Sequence, residues 1–395
     1  MREMRNRQLF YTTMAFAISI SVWGLISGLG PKFKTLYHLS DFQTALAVAL
    51  PVVLGALLRL PMGILAERYG GRRVFSLLMA FAIFPAACIA LVHSYAGLLI
   101  GGFFLGVAGS SFPVGVSATN KWFPPEKQGL ALGLFGLGTG GQSIAVFFGP
   151  RLAKVIPWEG VFWIFGLASL AWAGLFLLLA RDAAPGRVVP LAHYLQVLAR
   201  ERLSWALSAF YFVTFGGFVA MGVYLPTLLK NRFGLTADDA GLRTAGFVVV
   251  AVLLRPVGGW LADRVGGARV LVAVFTLVAG LALLLISSSM AIFTVGALSV
   301  AGVLGLGSGA VFRLVPEYFP TEVGTITGLV GAIGGLGGFF PPIVLGILKQ
   351  ATGSYTVGFV LLSLFAVGAL LLNLTVFLRL PAPGSSVTPA PVLAG

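Results

Sequence analysis

Two arginines lie deep inside long apolar runs of this sequence. Arg59 and Arg255 each stand nine residues before a second arginine that ends the run, Arg68 or Arg264. At 1.5 Å per helical residue, that is about 13 Å into a membrane, near the midplane of a roughly 30 Å hydrocarbon core. A charge there costs at least about 2.5–3.5 kcal/mol on insertion scales, and a snorkelling arginine would lie nearer a helix end. The depth therefore favours a functional role for both residues.

The acidic residues offer these arginines no partner at the same depth. All 12 Asp and Glu residues of the sequence fall in predicted tails, loops or helix ends. A guanidinium is planar, permanently charged and able to hold an oxyanion through two parallel hydrogen bonds. The pair therefore predicts an anionic substrate as its counterion.

The composition defines the elements that position this pair. Apolar residues make up 58% of the 395 residues and charged residues 10%, against about 25% charged in soluble domains, and the mean hydropathy is +0.99. These values exclude a soluble or disordered chain and place it in the lipid bilayer. Runs of about 20 apolar residues predict twelve membrane-spanning helices. We number them 1 to 12, at 10–30, 43–66, 73–92, 95–119, 128–150, 158–180, 204–229, 239–262, 269–288, 291–316, 323–348 and 355–379.

The basic residues orient the chain in the membrane. With the N-terminus inside, the cytoplasmic segments hold 16 Lys and Arg residues and the outer loops hold eight. The positive-inside rule therefore predicts that both termini lie in the cytoplasm of a prokaryotic inner membrane. The same rule accounts for the net charge of +14 without nucleic acid. The predicted organisation is a six-helix half at 1–180, a cytoplasmic linker at 181–203, a second half at 204–380 and a disordered tail at 381–395, acting as a functional monomer.

The two halves repeat each other in sequence. Residues 57–74 align without gaps to residues 253–270 at an offset of 196, and 11 of the 18 positions are identical. Parallel repeats of this kind are typical of two-domain transporters, in which the substrate site lies between the halves near the midplane.

The repeated segment ends in an acid and an arginine in each half: Glu67 and Arg68, then Asp263 and Arg264. This pattern resembles the cytoplasmic loop signature of the major facilitator superfamily. An acid beside arginines at a helix end predicts a latch across the interface between the halves, broken and remade during alternating access. Anchoring of the topology by positive charge is the alternative, and both can hold.

Helices 5 and 11 are rich in glycine, and we assign their conformational role to Gly136, Gly140, Gly331 and Gly335. Small residues at such spacing commonly serve close helix packing. They also let the backbone approach a small ligand and let one half rock against the other. A large organic substrate would require more polar and aromatic lining.

Nearly the whole chain resembles the nitrate/nitrite porters of the major facilitator superfamily. The resemblance rests on Arg59 and Arg255 in their repeated contexts and on the stretches at 133–150, 305–320 and 328–342. It implies the all-α polytopic fold of that superfamily, with twelve transmembrane helices in two pseudo-symmetric halves. It also implies that the two arginines hold a nitrate or nitrite anion.

The same resemblance implies roles for neighbouring side chains. Phe112 on helix 4 and Phe215 on helix 7 match aromatic residues that sandwich the planar anion, and Tyr211 matches a hydrogen-bonding tyrosine. Arg313 on helix 10 matches a basic residue common in the family. Taken alone, these rings would be interpreted as packing residues, because the chain has 32 Phe.

Two substrate-binding candidates depart from the family pattern. Thr139 on helix 5 and Ser308 on helix 10 stand where the family usually has Asn. A hydroxyl donates one hydrogen bond where an amide donates two. The preference between nitrate and nitrite, or for another small anion, is therefore left open.

The coupling mode depends on titratable groups. His38, His93 and His193 fall in loops or at helix ends, so no proton carrier is predicted in the cavity. Unpaired arginines are costly in an empty carrier, which favours nitrate/nitrite exchange. The helix 10 motif resembles instead the proton-linked symporter branch. Exchange is our prediction, with proton-coupled nitrate symport in nitrate assimilation and transport of a small organic anion as alternatives.

The remaining function classes lack their signatures. We find no nucleophile–base set, metal-ligand cluster or cofactor motif, so the sequence predicts neither an enzyme nor a bound cofactor or metal. The single cysteine, Cys88, excludes an intramolecular disulfide. A sensor would carry a soluble output domain, and no segment is long enough for one.

Overall fold

The computed structural model describes residues 2–183, 192, 193, 196, 200–319 and 323–379. Every regular element within these residues is a helix. Eleven helices are long and apolar enough to cross a membrane, and one bent helix pair gives a twelfth span, which confirms the predicted polytopic all-α fold. The spans, in order from helix 1 to helix 12, are Glu3–Leu36, Asp41–Leu57 with Arg59–Tyr69, Gly71–Leu91, Tyr95–Asn120, Ala131–Val155, Trp158–Leu179, Arg202–Phe233, Ala237–Val265, Gly267–Leu284, Met290–Tyr318, Thr325–Thr352 and Thr356–Thr375.

Two sequence predictions concern segments that lie wholly or mostly outside the described residues. The predicted disordered tail at 381–395 lies outside the described residues, and so does most of the predicted linker at 181–203.

Glycine makes the reversals inside the repeated segments. Gly70, between helices 2 and 3, has φ 89°, and Gly266, between helices 8 and 9, has φ 94°. Residues with a Cβ rarely enter this region. Each glycine N–H donates to the carbonyl four residues back, that of Ala66 or Ala262. The sequence repeat thus encodes the same helix reversal in both halves.

Six helices that the sequence predicts as regular, helices 2, 3, 4, 5, 7 and 11, are interrupted near their centres, and the breaks in helices 2, 5 and 7 lie beside the site described below. Helix 2 bends by 43° at a break between Leu57 and Arg59, because Pro61 has no N–H for the Leu57 carbonyl and its ring crowds that oxygen. Helix 5 tightens to a 3-10 turn over Leu137–Gly140, and helix 7 widens to a π-turn over Phe212–Gly216. Hydropathy reports burial rather than hydrogen-bond register, so it shows none of these changes.

Glycine also allows helices to touch through their backbones. A Cβ on Gly216 of helix 7 would lie 2.6 Å from the Cα of Gly337 on helix 11. On helix 5, a Cβ on Gly141 would lie even closer to the carbonyl oxygen of Ala17 of helix 1. At these positions the glycines serve the close packing that small residues provide between transmembrane helices.

The two halves meet at the predicted outer end through contacts that follow the sequence repeat. Lys34 Nζ donates to Asn231 Oδ1 at 3.1 Å, and Lys230 Nζ donates to Thr35 Oγ1 at 3.3 Å. Adding the offset of 196 to the first lysine and to the threonine gives the second lysine and the asparagine. We call these four residues the outer clasp, a reciprocal pair of hydrogen bonds between helix 1 and helix 7.

Candidate anion-binding site

A small cavity lies between the halves. Its volume is about 30 Å³, which is room for a few water-sized particles, whereas pockets for drug-sized ligands measure roughly 300–1,000 Å³. The cavity therefore suits an ion of a few atoms. Helices 1, 2, 4, 5, 7, 8 and 11 line it with Phe16, Ile20, Trp23, Val52, Gly55, Ala56, Arg59, Gly109, Phe112, Thr139, Gln142, Tyr211, Phe215, Phe218, Val219, Arg255 and Gly335.

Arg59 reaches across the interface from helix 2 to helix 11. Its Nη1 donates to the carbonyl of Gly331, and its guanidinium carbon lies 4.9 Å from the centre of the Phe215 ring. Gly335 leaves the space that this reach requires, because a Cβ there would lie 2.8 Å from Nη1. Backbone on helix 11 thus fixes the position of this guanidinium.

Arg255 enters the cavity from helix 8 and lies among aromatic rings. Its Nη2 donates to the Tyr211 hydroxyl at 2.7 Å. Its guanidinium carbon lies 5.4 Å from the centre of the Phe215 ring and 5.7 Å from those of Phe112 and Phe312. Ring faces attract a cation without accepting its protons, so this environment holds the charge in place and leaves most of its five N–H donors to a ligand.

The ring of Phe215 brings the two arginines together. Both guanidinium carbons lie within 5.4 Å of its centre, and the Tyr211 ring stacks parallel to it at 4.8 Å. The π-turn of helix 7 contains Phe215 and directly follows Tyr211. Such turns recur at functional sites, since they shift side chains out of the regular helical register.

The cavity carries positive charge without compensation. No Asp, Glu or His lines it within the described part of the chain. No ion pair among the described residues involves Arg59 or Arg255. Two uncompensated cations in a low-dielectric space strongly favour an anion between them.

The structure brings together most of the predicted substrate-binding residues. Thr139 joins the arginines and rings on the cavity wall, and its buried hydroxyl has no hydrogen-bond partner among the described residues. The predicted residues that line the cavity are Arg59, Phe112, Thr139, Tyr211, Phe215 and Arg255.

Ser308 does not reach the cavity. Its hydroxyl donates to the Leu304 carbonyl at 2.9 Å, one turn earlier in helix 10. A buried serine in a helix commonly satisfies itself in this way, so a substrate contact from Ser308 is not supported. Gly136 and Gly140 also remain off the cavity wall, with open space where a Cβ would lie.

The predicted latch residues lie at the other end of the bundle, where each acid pairs inside its own half. Glu67 lies 2.8 Å from Lys121 at the end of helix 4, and Asp263 pairs with Arg313 of helix 10. In this structure neither acid forms an ion pair across the interface with another described residue. A latch that is broken and remade during alternating access is not formed in every state, so the latch stays a prediction.

The two arginines of the latch motif lie over aromatic rings of their own helices. Arg68 lies 5.3 Å from the centre of the Tyr69 ring, and Arg264 lies 4.1 Å from that of Trp260. These contacts are local, and they fit the alternative interpretation of the motif as a positive anchor at the membrane surface.

Sequence reasoning missed two polar side chains of the cavity, Trp23 of helix 1 and Gln142 of helix 5. Gln142 carried a signal, because a polar residue in the middle of an apolar run is a functional candidate. Trp23 carried none, since tryptophan is also common as a packing and interface residue.

Comparison with known proteins gives the family. The model of the Major Facilitator Superfamily matches residues 12–236 and 207–393. A protein of Bacillus subtilis (strain 168) named nitrite extrusion protein is 41% identical over 94% of each chain. A probable nitrate transporter, NarT, of Staphylococcus haemolyticus is 37% identical over 91% of this chain and 94% of the relative. The chain belongs to the nitrate/nitrite porter family of the major facilitator superfamily.

Solved structures agree with this assignment at the level of fold. A bacterial homolog of the human lysosomal transporter Spinster, in an inward-facing and occupied conformation, matches this porter with a TM-score of 0.73. The match covers 94% of this chain and 96% of that one at 17% identity, so it shows the fold alone. The predictions of a major facilitator fold, and of a membrane transporter rather than an enzyme, are confirmed.

Proposed function

We propose that this porter binds nitrate or nitrite between Arg59 and Arg255 and exchanges the two anions across the cytoplasmic membrane. The observation that carries the proposal is the convergence of two guanidiniums on one ring, in a cavity without an acid. The names of the relatives from Bacillus and Staphylococcus point to the same two anions.

The shape of the site suits a planar oxyanion. The guanidiniums offer forked N–H donors that match two oxygens of one anion. Phe112 and Phe215 add flat apolar walls beside them. A cavity of about 30 Å³ supports a substrate of a few atoms over a mono- or dicarboxylate with a longer carbon chain.

Exchange follows from the electrostatics of the empty site. An empty cavity holds two uncompensated charges at low dielectric, a state that costs several kcal/mol per ion. The carrier therefore changes its facing readily only when an anion neutralises the pair. Proton symport would use a titratable group in the cavity, and none of the described lining residues is an acid or a histidine.

The orientation and the oligomeric state complete the proposal. We place both termini in the cytoplasm because 16 basic residues fall on that side and eight on the other. The cavity is enclosed by helices of one chain, so we expect a functional monomer.

Flux in proteoliposomes tests the proposal. Purified porter should take up nitrate rapidly when the vesicles contain nitrite and slowly when they contain neither anion. Uptake should not respond to an imposed proton gradient at zero membrane potential. Rapid nitrate uptake into anion-free vesicles driven by a proton gradient would establish symport instead. Preference for acetate or succinate in a competition panel would replace nitrate with an organic anion.

A further inference from the structure

Besides the two arginines, the cavity wall holds other buried hydrogen-bond donors that have no partner among the described residues. Trp23 Nε1 and Gln142 Nε2 have no hydrogen-bond partner among the described residues. The side chains are 8% and 1% exposed, and both line the cavity. An unsatisfied buried donor costs about 1–3 kcal/mol, so each such group requires an explanation. A ligand that accepts hydrogen bonds supplies one.

These donors lie toward the predicted outer end of the cavity. Gln142 follows Thr139 by three residues of helix 5, about 4.5 Å along the axis. Trp23 follows Phe16 by seven residues of helix 1, about 10 Å, and the Phe16 ring lies 5.7 Å from that of Phe112 beside the arginines. An anion that leaves the arginines outward therefore meets Gln142 and Trp23 next.

Gln142 also bridges the halves. On one side it contacts the site of Gly24 on helix 1, where a Cβ would lie 3.4 Å from its Cγ. On the other side, a Cβ on Gly222 of helix 7 would lie 2.8 Å from its Nε2. Two small residues from opposite halves thus make room for an amide at the interface.

Both groups donate hydrogen bonds and neither carries a charge. The indole N–H only donates, and the amide adds two donors. Their hydrogen bonds to an anion lack the attraction between full charges that the guanidiniums of Arg59 and Arg255 add. We propose that Trp23 and Gln142 form a second, neutral contact point for the anion, which receives it from Arg59 and Arg255 on the outward path. This proposal rests on the proposed function.

Shape-conserving variants test the contact point. Trp23→Phe and Gln142→Met remove the donors and keep most of the apolar volume. For each we expect the KM for external nitrate to rise about 10-fold or more, the effect of losing one hydrogen bond to a charged group, with the maximal exchange rate kept. The rise in melting temperature that nitrate causes should shrink. The melting temperature without anion should hold or rise, because an unsatisfied donor is gone.

Trp172→Phe is the matched control. Its indole Nε1 is also buried without a partner among the described residues, but it lies on helix 6 and does not line the cavity. We expect its KM and its nitrate-induced shift to match the wild type.

The outcomes separate this proposal from the proposed function. Unchanged KM and unchanged nitrate-induced stabilisation in both cavity variants overturn the contact point and leave the arginine site standing. Absence of nitrate and nitrite flux in the wild-type porter overturns both. Melting temperatures without anion show whether each variant folds, and if only one cavity variant folds, its result decides.

Discussion

At the residue scale, we expect function to depend on the geometry of the two guanidiniums and not on positive charge alone. Lysine keeps the charge of Arg59 or Arg255 but replaces a planar fork with a point charge. Arg59 also bonds the Gly331 carbonyl, and Arg255 bonds the Tyr211 hydroxyl. A hydrogen bond to a charged group contributes about 1.5–3 kcal/mol. We therefore expect Arg59→Lys and Arg255→Lys to lower nitrate exchange about 10- to 100-fold, measured as initial uptake into nitrite-loaded proteoliposomes.

Arg243→Lys provides the control for this prediction. Arg243 is exposed near the outer end of helix 8, where its Nη1 donates a long hydrogen bond to Thr294 Oγ1 at 3.4 Å. We expect near wild-type exchange. Near-normal transport by either cavity variant would remove Arg59 or Arg255 from the substrate site.

A second residue-scale prediction concerns the space that Arg59 occupies. In Gly335→Ala, the new Cβ would lie 2.8 Å from Arg59 Nη1 and 3.1 Å from the Ala56 Cβ. The guanidinium must shift, and a misplacement of about 1 Å in a binding group can cost up to 100-fold in rate. We expect exchange to fall at least about 10-fold.

Gly331→Ala is a matched variant one turn away. Open space surrounds the position of its Cβ, and the carbonyl that accepts from Arg59 remains. Exchange should stay near wild type. Equal losses in the two glycine variants would indicate a general effect on helix 11 rather than a steric effect on Arg59.

At the element scale, the sequence predicts which segments span the membrane but not where they break. Hydropathy located all twelve spans, and the repeat of 57–74 at 253–270 placed Arg59 and Arg255 at matching depth. The bend of helix 2 and the π-turn of helix 7 depend on backbone hydrogen bonds, which side-chain polarity does not report. Sequence polarity also placed Ser308 at the substrate site, although its hydroxyl donates to the Leu304 carbonyl of its own helix.

The bend of helix 2 yields a prediction at this scale. Pro61 removes the hydrogen bond to the Leu57 carbonyl, and Arg59 begins the second segment of the helix. Pro61→Ala restores that donor, so helix 2 should straighten and carry Arg59 away from Gly331. A proline in a helix interior costs up to about 3 kcal/mol. We expect the melting temperature to rise and nitrate exchange to fall.

Pro256→Ala is the control for this change. Pro256 stands next to Arg255, but helix 8 runs from Ala237 to Val265 without a break. Removal of this proline should leave Arg255 in place and exchange near wild type. Undiminished exchange in Pro61→Ala with a raised melting temperature would show that the bend does not position Arg59.

At the scale of the whole molecule, the polar contacts between the halves concentrate at the predicted outer end and not at the predicted cytoplasmic end, which carries Glu67 and Asp263. The acids Glu67 and Asp263 pair within their own halves. The contacts at the outer end include the outer clasp and those between Asp238 and the pair Arg151 and Lys154. Just inside the clasp, Ser27 Oγ donates to the Val223 carbonyl at 2.7 Å, and these residues are also 196 apart. The duplicated sequence therefore closes one end of the molecule about a pseudo-twofold axis.

The clasp makes the last prediction. Lys34→Met with Lys230→Met keeps the apolar stems and removes both reciprocal hydrogen bonds, each of which contributes about 0.5–1.5 kcal/mol. The equilibrium should shift toward a state open at the outer end by about 5-fold or more. In a Cys88→Ala background, Ser27→Cys reports the opening, because Ser27 is 2% exposed behind the clasp. A membrane-impermeant maleimide added from outside should label it faster in the double variant, and nitrate should slow the labelling.

Lys349→Met is the control, since Lys349 lies at the same end and donates to Gly353 of its own half. If the double variant labels at the same rate as the control, the clasp does not hold the halves together. Closure of the outer end must then rest on the other contacts between the halves, among them the ion pair of Lys154 with Asp238.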